Sequence, residues 1–223
     1  MAKTNKEKIE IELDNKEKAL AQAPVIVSAS RSTDIPAFYC DWFFHRLKVG
    51  YSAWTNPFNG GKKMYVSYAK TRFIVFWSKN PRPLLEHIDE LKARGIGCYV
   101  QYSLNDYEEE KLERGVPPLA ERIETFKKLV DVLGKGSVIW RFDPLVLTED
   151  ITIEKLLNKI ENIGDQLKGY TEKLVFSFVD ILSYNKVKNN LKANGISFVD
   201  WTEEQMAEFA SRLVALNKEK GWN

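Results

Sequence analysis

Ser28, Ser30, Arg31, Thr33 and Asp34 crowd together directly after the apolar run Val25-Ile26-Val27. A guanidinium in such a setting can grip a carboxylate or phosphate through paired N–H donors, and a nearby carboxylate can hold an amine or a hydroxyl. Similar residues close the other apolar runs: Lys79 and Asn80, then Gln101, Ser103 and Asn105, then Arg141 and Asp143, then Asp180. Residues two apart on a strand share a face, so Gln101 pairs with Ser103 and Arg141 with Asp143. Ser30, Arg31, Asp34, Asn80, Gln101, Ser103, Arg141, Asp143 and Asp180 are therefore the candidate binding residues, one mixed-charge cup for a small anionic molecule. Asp143 or Asp180 suits a general base, with Arg141 stabilising developing negative charge, but no residue type here fixes a catalytic role. Two plainer readings stand beside this one. Asp34, two residues before Pro36, suits a helix cap, and Arg141 with Asp143 suits a structural ion pair.

Positioning such residues requires strands that end together. Strands are expected at Val25–Ser30, buried on both faces, and at Tyr51–Thr55, Arg72–Ser78, Gly97–Ser103, Ser137–Phe142 (ended by Pro144) and Lys173–Val179. Helices are expected at Pro36–Val49, Pro83–Arg94, Pro117–Leu133, Ile153–Leu167 and Thr202–Lys220, with a shorter one at Tyr184–Ala193. Gly50, Gly95, Gly134 and Gly169 stand where four of these should stop. The turn Asn56-Pro57-Phe58-Asn59-Gly60-Gly61 and an extra strand at Met64–Tyr68 replace one helix. Alternating strands and helices imply parallel pairing with right-handed crossovers. The first βα turn has no glycine cluster for phosphates and no Gly-Lys-Ser/Thr follows any strand, and polar residues close every strand. The fold expected is α/β, a parallel (β/α) barrel of the TIM type, partial at about six strands. It occupies residues 25–223. Before it, residues 1–24 carry the alternation Ile9-Glu10-Ile11-Glu12-Leu13 and a turn at Asp14-Asn15, which predicts a charged N-terminal β-hairpin. With six strands, the flank of Lys173–Val179 is left exposed, self-associating or covered by the last helix.

Composition narrows the partners. A net charge of +2 among 29% charged residues gives no basic stripe, so neither nucleic acid nor an acidic membrane is expected. No apolar run is long enough for a membrane span and no signal peptide is evident, which reads as cytoplasmic. The two cysteines, Cys40 and Cys98, and the two histidines, His45 and His87, have no metal-ligand spacing. No metal site and no cofactor is expected in this chain alone.

The blocks VSASRSTDIPAFYCDWF, TNPFN, IVFWSKNP, GVPPLAERIETFKKL, VIWRFDP and KGYTEKLVFSFVD, in this order, resemble a bacterial family, domain of unknown function 1848. The resemblance runs from Val25 to Asn223. Ser32 stands where the family pattern has a second Arg. Full-length members carry a C-terminal cysteine cluster similar to that of radical S-adenosylmethionine enzymes, beyond the last residue here. The resemblance therefore implies a radical-enzyme-like barrel, with S-adenosylmethionine and a [4Fe–4S] cluster in full-length relatives. A cluster-free barrel enzyme, or a binding protein for a small anionic metabolite, is the alternative that the residues themselves allow.

Overall fold

The computed structural model describes residues 7–30, 33–55, 60–181, 183 and 185–222, the side chains of 185–187 excepted. Two compact units divide the chain, Met1–Val100 and Gln101–Asn223.

In the first unit, β1 (Lys8–Glu12) and β2 (Lys18–Gln22) form the expected hairpin, with Ile9 and Ile11 alternating with exposed charges. The hairpin does not stand alone. β4 (Tyr51–Thr55) pairs antiparallel with β5 (Lys63–Ser67), and β2 runs parallel to β5, so one sheet has the order β1-β2-β5-β4. This corrects the expected second barrel strand. A parallel partner for Tyr51–Thr55 would need a crossover of about a dozen residues, and the short link to Lys63 permits only the antiparallel return.

β3 (Ile26–Ser28) instead pairs in parallel with β6 (Phe73–Ser78). β3 is shorter than expected and is not buried on both faces: Val27 is buried, whereas Ile26 is 63% exposed. It stands at the end of its sheet, with β6 as its one strand partner among the described residues. The single helix expected from Pro36 is two, α1 (Ile35–Phe38) and α2 (Cys40–Val49), broken at Tyr39 (φ −137°, ψ 26°). α2 then buries Phe43, Phe44 and Leu47 and stops at Gly50, whose φ of 94° suits glycine. The next helix is likewise split, into a 3-10 turn at Arg82–His87 and α3 (Ile88–Ala93).

β7 (Gly97–Ser103) crosses the boundary between the units. The second unit continues with α4 (Leu119–Leu133), β8 (Val138–Leu145), α5 (Ile153–Leu167), β9 (Leu174–Phe178), α6 (Asn185–Ala193) and α7 (Glu203–Lys220). β8 runs past Pro144 rather than ending there, with a shift of register against β9 between Phe142 and Leu145. Trp140, Phe142, Phe126 and Ile160 are core residues, and the Trp140 indole N–H donates to the Leu104 carbonyl at 3.0 Å.

β9 is covered on one face. Phe176, Phe178, Trp201 and Phe209 of α7 form an aromatic cluster with ring centroids 4.7–5.8 Å apart. Full burial of such a ring stabilises by roughly 1.5–3 kcal/mol, and cover by the last helix is one of the outcomes expected for this flank. α7 is also held at its end, where Trp222 fits over Gly164 of α5 and donates its indole N–H to Asp165 at 2.9 Å. A Cβ at position 164 would lie 2.6 Å from the Trp222 ring, which explains a glycine inside a helix.

The parallel strands thus form an open five-stranded row, β3-β6-β7-β8-β9. No closed barrel forms among the described residues. Closure needs the end strands to pair, and about eight strands is the number at which side chains fill a barrel. Among the described residues no helix is long and apolar enough to cross a membrane.

Candidate functional site

Arg141, Asp143, Gln101, Asp34 and Asp180 each meet polar partners through their side chains, and the most elaborate set lies in the second unit. The Arg141 guanidinium donates through Nε (3.1 Å) and Nη2 (2.5 Å) to Oδ2 of Asp143, and through Nη1 (2.7 Å) to Oε1 of Gln101. Period two on β8 puts Arg141 and Asp143 on one face, and β7 supplies Gln101. The Ser177 hydroxyl of β9 donates to Oδ1 of Asp143. Asn105 closes the set: its side-chain oxygen accepts from the Asp143 N–H at 2.8 Å, and its NH₂ donates to Glu113 (2.9 Å) and to the Asp143 carbonyl (3.2 Å).

This is a neutralised clamp. Both carboxylate oxygens of Asp143 are engaged, and three guanidinium nitrogens of Arg141 are committed to protein acceptors. An arrangement of this kind is what the plainer structural reading describes. Ser177 and Glu113 escaped sequence reasoning, since only the pairing of β9 with β8 brings Ser177 to Asp143.

Asp180 does not join this set through any described bond: it is exposed, and hydrogen bonds from the Ser183 side chain and from the Ser183 N–H (3.0 Å) hold its pKa below the usual value. Ser103 is buried at the end of β7. In the first unit, Asp34 caps α1 through the Ala37 N–H (3.0 Å) and accepts from the Lys79 N–H (2.8 Å), tying the helix start to the end of β6. Asn80 is half-buried, and its N–H donates to the Ser78 hydroxyl at 3.0 Å. Ser30 is half-buried with its hydroxyl oxygen buried and unbonded. Arg31 and Ser32 lie outside the described residues.

The first unit also holds a feature that sequence reasoning missed, a cavity of about 680 Å³ beside the carboxyl end of β3. Its walls come from three places. Ile26 and Ser28 belong to the edge strand with Thr33 beyond it, Tyr39, Trp42 and Phe43 come from the helical segment, and Gln22, Ser52, Trp54, Met64 and Val66 come from one face of the four-stranded sheet. Register shows why that face is continuous: Gln22 opposes Val66, Val66 opposes Ser52, and Met64 opposes Trp54, so these side chains project together. The signal available in sequence was the alternation of Ser52 with Trp54 and of Met64 with Val66. Gln22 had none.

A family model described as domain of unknown function (DUF1848) matches residues 26–223. The chain belongs to this family. No curated protein and no solved structure matches it. The DUF1848 match begins at Ile26, so β1, β2 and the cavity residue Gln22 precede it.

The DUF1848 resemblance implies a cluster only in full-length relatives, and the two cysteines present here are not built like its donor set. Cys40 of α2 and Cys98 of β7 are both free and buried, and burial pushes their thiols up to about 12 and about 11. Iron–sulfur clusters take several thiolates converging on one site, and two buried neutral thiols on different elements do not fit that donor set. Among the described residues no group of His, Cys, Asp and Glu is arranged for a metal ion.

Proposed function

We propose that this DUF1848 domain binds a small organic molecule in the first-unit cavity, and that its parallel strands are an open segment of a barrel-type fold serving as scaffold. The cavity carries the reading. Its volume of about 680 Å³ falls within the roughly 300–1,000 Å³ of small-molecule sites, and such sites pair apolar and aromatic walls with a few polar groups. It also lies by the carboxyl end of a parallel strand, where α/β folds place their ligands. Exposed Ile26, Tyr39 and Trp42 at its rim form the kind of open apolar surface that marks binding. The Arg141–Asp143 clamp then serves to stiffen the second unit.

The test is binding of the neutral dye Nile red, followed by fluorescence, to the intact chain and to Val66→Phe, which adds bulk on the cavity face. One saturable site that weakens at least tenfold in the variant, with melting unchanged, supports the reading. No enhancement, or equal binding by both proteins, would remove it.

A further inference from the structure

The cavity's polar groups are more selective than its size. None of its described lining residues carries a charge, so an ionised group inside would lose hydration without a counter-charge. Tyr39, Trp42 and Trp54 offer flat ring faces, which favour flat ligands. One amide interrupts these apolar walls. Gln22 is half-buried, projects from the same sheet face as Val66 and Ser52, and makes no side-chain hydrogen bond among the described residues. A carboxamide presents a donor and an acceptor side by side, the pattern that pairs with a ring nitrogen next to an exocyclic amino group. Ser52 adds a directed donor: its oxygen already accepts from the Tyr68 hydroxyl at 2.9 Å, so its own hydrogen is left to point elsewhere. Ser28 and Thr33, both exposed at the mouth, suit hydroxyl groups on the outer part of a ligand.

We infer that the cavity takes a neutral aminated nitrogen heterocycle of the nucleobase or nucleoside class, with Gln22 reading its hydrogen-bonding edge. This rests on the cavity being a small-molecule site, as proposed above. Such a ligand differs from the anionic one expected of the strand-end residues.

Adenosine, purine riboside (which lacks the amino group) and adenosine monophosphate are competed against Nile red on the intact chain and on Gln22→Leu and Gln22→Glu. Adenosine should displace the dye at least tenfold better than purine riboside, and both Gln22 variants should abolish that difference while still binding dye. Adenosine monophosphate should bind no better than adenosine. If the dye binds and is blocked by Val66→Phe but adenosine does not compete, the ligand class is wrong and the cavity reading stands. If the monophosphate binds tenfold tighter than adenosine, the site reads an anion and the inference fails. If the dye itself finds no site, both fall together.

Discussion

Asp143→Ala removes the centre of the second-unit clamp, and its cost can be worked from the contacts. Arg141 and Asp143 side chains are 15% and 13% exposed, so the pair is close to buried. Removing one member of a buried pair costs about 3–5 kcal/mol, because the other is left charged and unpaired. Arg141 would keep Gln101 as an acceptor, and the residual exposure lets water reach the guanidinium, which brings the expectation to about 2–3 kcal/mol. The Ser177 hydroxyl loses its acceptor as well, within that range. For a chain of this size roughly 2–4 °C of melting temperature accompanies each kcal/mol, so a fall of roughly 4–12 °C is expected. Arg141→Met should behave alike. The double replacement Arg141→Met/Asp143→Leu exchanges the pair for apolar packing, and should cost less than the summed singles by at least about 1 kcal/mol. Urea and thermal unfolding followed by circular dichroism close this cycle. Singles within about 0.5 kcal/mol of the parent, adding without coupling, would refute the clamp and return Arg141 to the pool of ligand-binding residues.

Gly164→Ala should release Trp222, since the new methyl group would overlap its ring; in a Trp222-reporting background the indole emission should shift to the red, and an unchanged spectrum would show that the notch is not needed. The intrinsic gain of about 1 kcal/mol from alanine in a helix should leave global stability nearly level. Cys40 and Cys98 stay protonated until about 12 and about 11, because burial disfavours the thiolate, so iodoacetamide at pH 8.5 should label the folded chain slowly and two thiols rapidly after unfolding. A thiol that labels at the unfolded rate would contradict their burial. Arg122 is 2% exposed, its Nε and Nη1 have no hydrogen-bond partner, and its ion pair to Glu108 is 3.6 Å long. Arg122→Met should therefore melt at or above the parent temperature, and a loss of more than about 2 kcal/mol would show that the guanidinium is better satisfied than its contacts indicate.

Much of the fold was legible because its signals are local. The alternation of Ile9 and Ile11 marked the hairpin, Gly50 marked a helix end by its positive φ, and the amphipathic run Ile153–Leu167 fixed α5 within its observed bounds. The failures came from partners distant in sequence. Tyr51–Thr55 has the composition of a strand in either setting, and only its antiparallel return to Lys63–Ser67 removes it from the parallel row. Ile26 reads as core, yet its place at a sheet end exposes it. Gln101, Arg141 and Asp143 were found by asking which residues share a strand face, and the same rule could not find Gln22, which joins Val66 through a parallel pairing across more than forty residues of chain.

The two polar sets differ in what remains unused among the described residues, and that difference supports the roles proposed for them. At Asp143 both carboxylate oxygens and the main-chain N–H are bonded, and Asn105 uses its oxygen and its NH₂ on neighbours within the same unit. A ligand there would exchange good hydrogen bonds for equivalent ones, with little net gain. At the cavity, Gln22 has no such partner among the described residues and stands among aromatic and aliphatic walls. On the function proposed above, the charged residues of the second unit stabilise the fold, and an uncharged amide on a strand outside the family match supplies the recognition.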